Sequence, residues 1–185
     1  LSLHDALPIY FEYVDIPNLA KLSQNLVLAM PREVMYGTIF AEYDPGILKH
    51  VPGLVEAVEL VRPWHELSTV ALITQYPGVP WPIHVDGESD ELCPEVAFNI
   101  PVYNCEDCYS IVYERIDRAQ PEFTLTPKTD RPYRTFAEDQ VQQVGIVNYR
   151  GHGVLINTGK PHTIVNPTKR PRIVASFRWT PTLQW

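Results

Sequence analysis

The chain has 185 residues, 45% hydrophobic and 20% charged, with a formal net charge of −7 at pH 7. That length suits one domain with a sizeable core, and the composition is that of an ordinary globular protein, which excludes a disordered or fibrous chain. The acidic balance argues against a general binder of nucleic acid or of anionic membranes, and no apolar run reaches the ~18 residues of a membrane span.

Eighteen prolines favour short strands and turns over long helices. The odd set of three cysteines, Cys93, Cys105 and Cys108, suits a reducing compartment, so a cytoplasmic location is expected. Cys105 and Cys108 have CxxC spacing. A structural zinc site needs four ligands, however, and a redox CxxC normally opens a helix, whereas this one precedes a strand. The pair therefore reads as reduced thiols in a turn. No signal peptide or lipidation motif is visible.

Residues 1–9 (LSLHDALPI) look foreign and resemble the conceptual translation of a sequencing adapter, so His4 and Asp5 are set aside and the segment is expected to pack against nothing. The remainder, 10–185, reads as a single domain, with a mixed helical part over 10–66 and a β-rich core over 67–185. Residues 10–16 alternate well enough for a strand. Asn18 is placed to cap a helix whose Leu19, Leu22 and Leu26 share a face, with Pro31 ending it. A second helical pattern runs over 46–61, where Val51, Leu54, Val55, Val58 and Val61 recur at helical spacing, with a break expected at Pro52-Gly53.

Beyond residue 67 the pattern turns to strands. Val70–Thr74, Val96–Val102, Ser110–Glu114, Val141–Tyr149, Gly153–Asn157 and Arg172–Trp179 are short, rich in Val, Ile, Tyr or Phe, and bounded by turn residues. Many short strands with turns between them predict a sandwich or jelly roll. Residues 117–140 are polar and read as a long loop, the place to look for a lid or a specificity element.

The chemistry concentrates in Trp81-Pro82-Ile83-His84-Val85-Asp86-Gly87. A histidine and a carboxylate two residues apart lie on one face of an extended strand. A third ligand from a distant strand would complete a 2-His-1-carboxylate triad, the usual arrangement for non-haem Fe(II) with open positions. By itself the triplet is a weak signal. Of the other histidines, His50 and His65 read as surface or core residues, and His152, between two glycines, as a lesser candidate for the site.

The C-terminal third supplies context. His162 opens a strand after the turn Asn157-Thr158-Gly159-Lys160-Pro161, and Arg172 follows ten positions later (172 − 162 = 10) on the next strand. The strand Ala97–Cys105 follows the His-x-Asp pair, and the block from Asn157 to Asn166 contains Pro161-His162-x-x-x-Asn166. Together these resemble the Fe(II)/2-oxoglutarate-dependent oxygenase superfamily. More narrowly, they resemble its aspartyl/asparaginyl β-hydroxylase-like branch and similar small oxygenases of phages and bacteria. The resemblance covers about residues 67–179.

That resemblance implies a mainly β, double-stranded β-helix (jelly roll, cupin-like) with N-terminal helices buttressing the larger sheet. It implies that His84, Asp86 and His162 ligate Fe(II), and that 2-oxoglutarate is the cosubstrate. Two neutral imidazoles and one carboxylate suit the ion and leave coordination positions open. Arg172 would hold the distal carboxylate of 2-oxoglutarate, which a planar guanidinium does bidentately. Arg178 shares the strand parity of Arg172 and is the alternative anchor. Asn99 is a candidate pocket residue, and Trp81 and Tyr76 candidates for the rim. The position two beyond the arginine is Val174, where many such proteins carry a hydroxyl, which leaves a second cosubstrate contact open.

The implied activity is a hydroxylase that couples oxidative decarboxylation of 2-oxoglutarate to succinate with oxidation of a small-molecule or peptide substrate. A cupin-type metalloenzyme that does not use 2-oxoglutarate, and a non-catalytic jelly roll used for binding or structure, are the alternatives.

Overall fold

The computed structural model describes residues 10–30, 40–79, 81–86, 96–116, 120–125 and 132–179. Among them, twelve strands form two six-stranded sheets in which every pairing is antiparallel. The larger contains β1 (Phe11–Val14), β10 (Gly153–Ile156), β5 (Ala97–Tyr103), β12 (Arg172–Trp179), β3 (Leu67–Gln75) and β2 (Phe40–Tyr43), in that spatial order. The other runs β7 (Glu122–Leu125), β8 (Pro132–Phe136), β4 (Ile83–Val85), β11 (His162–Val165), β6 (Tyr109–Arg115) and β9 (Val141–Asn148).

Strand β12 shows how the layers are built. Its side chains alternate between faces, as in any strand. Ile173, Ala175, Phe177 and Trp179 join Val70, Leu72, Phe98 and Ile100 in one buried core, while Val174 joins Ala71, Ile73, Val112, Val147 and Val154 in another. The first core lies under the helices, because it also holds Leu22 and Leu26 of α1 (Leu19–Ala29) and Leu54, Ala57 and Val58 of α3 (Leu54–Glu59). The second takes residues from both sheets and so fills the space between them. The fold is a double-stranded β-helix with helices backing its larger sheet.

The helical part differs in detail from its sequence pattern. Asn18 sits at the N-cap of α1 but in the left-handed region (φ 56, ψ 36), and its side chain caps nothing. The 46–61 pattern splits into α2 (Pro45–Leu48) and α3, and Gly53, at φ 82, makes the break where a side chain would be strained. The larger change concerns 117–140, expected as a loop. Strands β7 and β8 lie within it, followed by a 3-10 turn at Glu138–Gln140. β8 pairs directly with β4 and so walls the site. Tyr133 and Thr135 lie on the His84 face of β8 and the buried Arg134 and Phe136 on the other, so polar and apolar residues do not separate by face and the segment reads as a loop. The adapter-like residues 1–9 and Cys93 lie outside the described residues.

Candidate metal centre

His84 lies on β4 and His162 opens β11, and the two are direct partners in the antiparallel register, their ring centroids 4.4 Å apart. Asp86 follows β4 by one residue. Its backbone N–H donates to the carbonyl of Thr158 at 3.0 Å, which prolongs the pairing and keeps its carboxylate on the side of His84. One ligand atom from each of the three lies within 4.8 Å of the other two, and His84 and His162 are buried.

The tautomers follow from the neighbours. Nδ1 of His84 is 3.0 Å from the carbonyl of Pro82, and Nδ1 of His162 is 3.0 Å from that of Lys160. A carbonyl only accepts, so each Nδ1 carries the hydrogen and each Nε2 presents its lone pair. Nε2 of His84 then stands 3.5 Å from Oδ1 of Asp86. Burial, and next the neighbouring His84, pushes His162 down to about 4, so its ring is neutral near pH 7. At Asp86 burial alone would raise the carboxyl. The Arg178 guanidinium beside it, with the two neighbouring imidazoles, more than offsets that and holds the group well below the usual carboxylate range. Two imidazole lone pairs and an ionised carboxylate that converge are a donor set for a divalent cation, and N/O ligation of this kind suits Fe(II).

The two arginines of β12 behave differently. Nη1 of Arg178 is 2.7 Å from Oδ2 of Asp86, so this side chain serves the carboxylate of the triad. Arg172 is 0% exposed, and its Nε, Nη1 and Nη2 have no hydrogen-bond partner among the described residues. Its guanidinium stacks on Tyr149, with Cζ 4.4 Å from the ring centroid. The Tyr149 hydroxyl pairs with Ser110 Oγ at 2.9 Å. Ser110 stands two residues along β6 from Val112, the register partner of His162, which places it one side-chain row, about 7 Å, along the strand from that partner.

Between the arginines, on the same face of β12, Ser176 pairs with Asn99 of β5, and both are buried. Neither Ser176 Oγ nor Asn99 Oδ1 has a hydrogen-bond partner among the described residues. A buried hydroxyl and amide oxygen of this kind ordinarily find partners. Ser176, not Val174, is thus the hydroxyl that the inner face offers.

Aromatic rings flank His84 on two sides. Trp81 is 6.2 Å from it, and Tyr133 meets it edge-to-face at 5.5 Å. Tyr133 is the residue that sequence reasoning missed. The period-two repeat Tyr133-x-Thr135 was its only trace. The Tyr76 hydroxyl is buried. His152 stands apart from the triad. It is paired with Asp15 at 2.8 Å and leans on the Tyr13 ring. Cys105 and Cys108 are free and buried, and burial pushes both thiols up, Cys108 to about 11, so they are inert near pH 7.

A scan against protein-family models found no match, and neither did a search of the curated proteins. Solved structures do match. A prolyl-4-hydroxylase from Pseudomonas putida is 12% identical, with a TM-score of 0.57 over 98% of each chain. HygX from Streptomyces hygroscopicus, in its iron-bound form, is 14% identical at a TM-score of 0.57, covering 94% of this chain and 83% of its own. EvdO2 from Micromonospora carbonacea var. aurantiaca, complexed with 2-oxoglutarate, is 16% identical at 0.53 over 93% and 87%. What the chain shares with these proteins, at such low identity, is the double-stranded β-helix itself.

Proposed function

We propose that this protein is an Fe(II)- and 2-oxoglutarate-dependent oxygenase, a hydroxylase acting on a small-molecule or peptide substrate. His84, Asp86 and His162 would hold the iron. Arg172 would hold the distal carboxylate of the cosubstrate, with Asn99 and Ser176 offering polar contacts along the way. When bound, Fe(II) and 2-oxoglutarate supply, with O₂, the oxidising chemistry in which the 2-oxo acid is consumed to succinate and carbon dioxide.

The observation that carries this reading is the state of Arg172. A guanidinium removed from water with none of its donors paired is strongly disfavoured unless an anion meets it. The Arg172 side chain lies on the inner face of β12 and stacks on Tyr149, whose hydroxyl reaches Ser110, two residues along β6 from the partner of His162. A dicarboxylate that also reaches the metal satisfies both. A cupin-type enzyme without 2-oxoglutarate, or a non-catalytic jelly roll, gives the buried guanidinium nothing to do. Arg178 is engaged with Asp86 and supports the metal side instead.

The test needs no prime substrate, because such enzymes turn 2-oxoglutarate into succinate slowly on their own. Wild type should form succinate in an iron-dependent way. Arg172→Ala should still bind metal and should raise the apparent KM for 2-oxoglutarate roughly a hundredfold, the scale set by the few kcal/mol lost when a buried charge loses its partner. Iron-loaded protein that forms no succinate would remove 2-oxoglutarate from the proposal.

A further inference from the structure

We propose that Tyr10, Glu114 and Lys160 form a positioning device for the metal centre, locking the turn whose backbone carbonyls hold two of the three ligand residues. The inference rests on the metal-binding reading above and assigns a role to residues outside the ligand set.

The turn over residues 157–161 touches the centre twice through its main chain. The Thr158 carbonyl accepts from the Asp86 N–H at 3.0 Å, and the Lys160 carbonyl faces Nδ1 of His162 at 3.0 Å. Movement of this short segment therefore displaces the Asp86 backbone and rotates the His162 ring together. Within the turn, Asn157 Oδ1 accepts from the N–H of Gly159, and the Asn157 carbonyl from that of Lys160. Those bonds shape the loop locally but do not tie it to the sheets.

Longer-range contacts supply that tie. The N–H of Tyr113 on β6 donates to the Pro161 carbonyl at 2.8 Å. Lys160 Nζ meets Glu114 Oε1 at 3.0 Å and Oε2 at 3.4 Å, and lies over the Tyr10 ring, 5.6 Å from its centroid. The Tyr10 hydroxyl donates to Glu114 Oε2. Tyr10 also holds the other end of the turn, because its carbonyl accepts from the Asn157 N–H at 2.9 Å. One residue ahead of β1 thus grips the turn at position 157 directly and at 160 through Glu114.

An isolated, part-exposed Lys–Glu pair contributes little to stability. Here the pair is a three-member network, and what it restrains is a carbonyl bonded to a ligand imidazole. Partners that orient a ligating histidine set metal affinity. The device should therefore show itself in metal binding more than in global stability.

The experiment titrates Mn(II) into metal-free wild type, Lys160→Met, Glu114→Gln and Tyr10→Phe, and records metal-free melting beside it. The three variants should bind Mn(II) on the order of tenfold more weakly, with metal-free melting close to wild type. Lys160→Arg, which keeps the ion pair, should recover most of the affinity. With Co(II) in the site, the exchangeable Nδ1–H resonance of His162 should shift or broaden in Lys160→Met, while that of His84 stays. Wild-type affinity in all three variants would overturn the device and leave the metal reading standing. Wild type that binds no divalent metal would overturn both.

Discussion

His84 and His162 meet as direct partners across β4 and β11, and each Nδ1 points at the carbonyl two residues before its own ring, Pro82 in one case and Lys160 in the other. The symmetry matters because it turns both Nε2 lone pairs to one side, toward Asp86. Alanine at any one of His84, Asp86 or His162 should therefore weaken Mn(II) binding beyond the roughly 10–100-fold that loss of an orienting partner costs. Paramagnetic resonance titration reads this directly. Normal binding in all three variants would leave the triad without a role.

Arg178 gives a prediction with a pH signature. Its charge keeps Asp86 ionised against burial, which by itself favours the neutral acid. In Arg178→Ala the carboxyl pKa should rise, and a protonated Asp86 cannot ligate. Mn(II) affinity should fall, and should fall further at about pH 6 than at about pH 8, while wild type changes less over that interval. Arg178→Lys should restore part of it. A variant with equal losses at both pH values would mean that Arg178 only packs.

Much of the fold was legible in the sequence where physics imposes a pattern on residue types. β12 runs over Arg172–Trp179 as its Val, Ile and Phe content implied, because Ile173, Ala175, Phe177 and Trp179 fill the core under the helices. His84, Asp86, His162 and Arg172 stood out because their residue types and spacing resemble a known motif, on which the proposed function builds. β7 and β8 did not stand out, since Tyr133 and Thr135 on one face of β8 and Arg134 and Phe136 on the other give no apolar alternation. Parity gave the face of Arg178 but not its partner. The Tyr10–Glu114–Lys160 network joins positions 104 and 46 residues apart, and no local signal reports such contacts.

His162 sets an acid limit for the metal-free protein. Its folded value of about 4 lies below its ordinary 6.5. Between those values the unfolded chain binds the proton and the folded one does not, so stability falls as pH drops through that window. The depressed carboxyl of Asp86 stabilises the fold above its ordinary 3.8, and that contribution is lost only at lower pH, so it does not mask the trend. The loss approaches roughly 3 kcal/mol, at 1.36 kcal/mol per unit. Denaturant unfolding of chelator-treated protein across the window should show it, and the slope should shrink in His162→Gln. An unchanged slope would assign the acid limit to other groups.

Gly153 tests the layer on the far side of the larger sheet. A Cβ there would meet Phe98 Cε2 at 2.6 Å and Ile16 Cδ1 at 2.8 Å, and an aromatic ring packed in the core gives way poorly. Gly153→Ala should cost about 1–3 kcal/mol, the range for overpacking, and lower Tm by several degrees. Because this core lies behind the sheet from the ligands, Mn(II) affinity should stay at the wild-type value. A silent substitution would show that Phe98 has room to move.

Arg172 should make the protein less stable in the absence of ligand, which is the most direct test of its role. Its guanidinium is buried, stacked on Tyr149 and has no hydrogen-bond partner among the described residues. The ring offsets part of the desolvation cost, since a desolvated cation over an aromatic face gains about 2 kcal/mol or more while removing an ion from water costs several. Removing a buried charge that lacks a partner should therefore help the empty fold. Arg172→Met, similar in length and apolar, should stabilise the ligand-free protein by on the order of 1–4 kcal/mol, the range for replacing buried ions with packed side chains, and so raise its Tm. In the metal-loaded wild type, 2-oxoglutarate at about a hundred times its Kd should add about 2.7 kcal/mol through linkage. That increment should vanish in Arg172→Met while the shift from metal alone persists. The order of stability thus inverts: the variant is the more stable protein empty, and the wild type gains on it once cosubstrate is present. A variant that melts lower than wild type when empty, yet still responds to 2-oxoglutarate, would mean that Arg172 is a structural residue and that the cosubstrate anchor lies elsewhere.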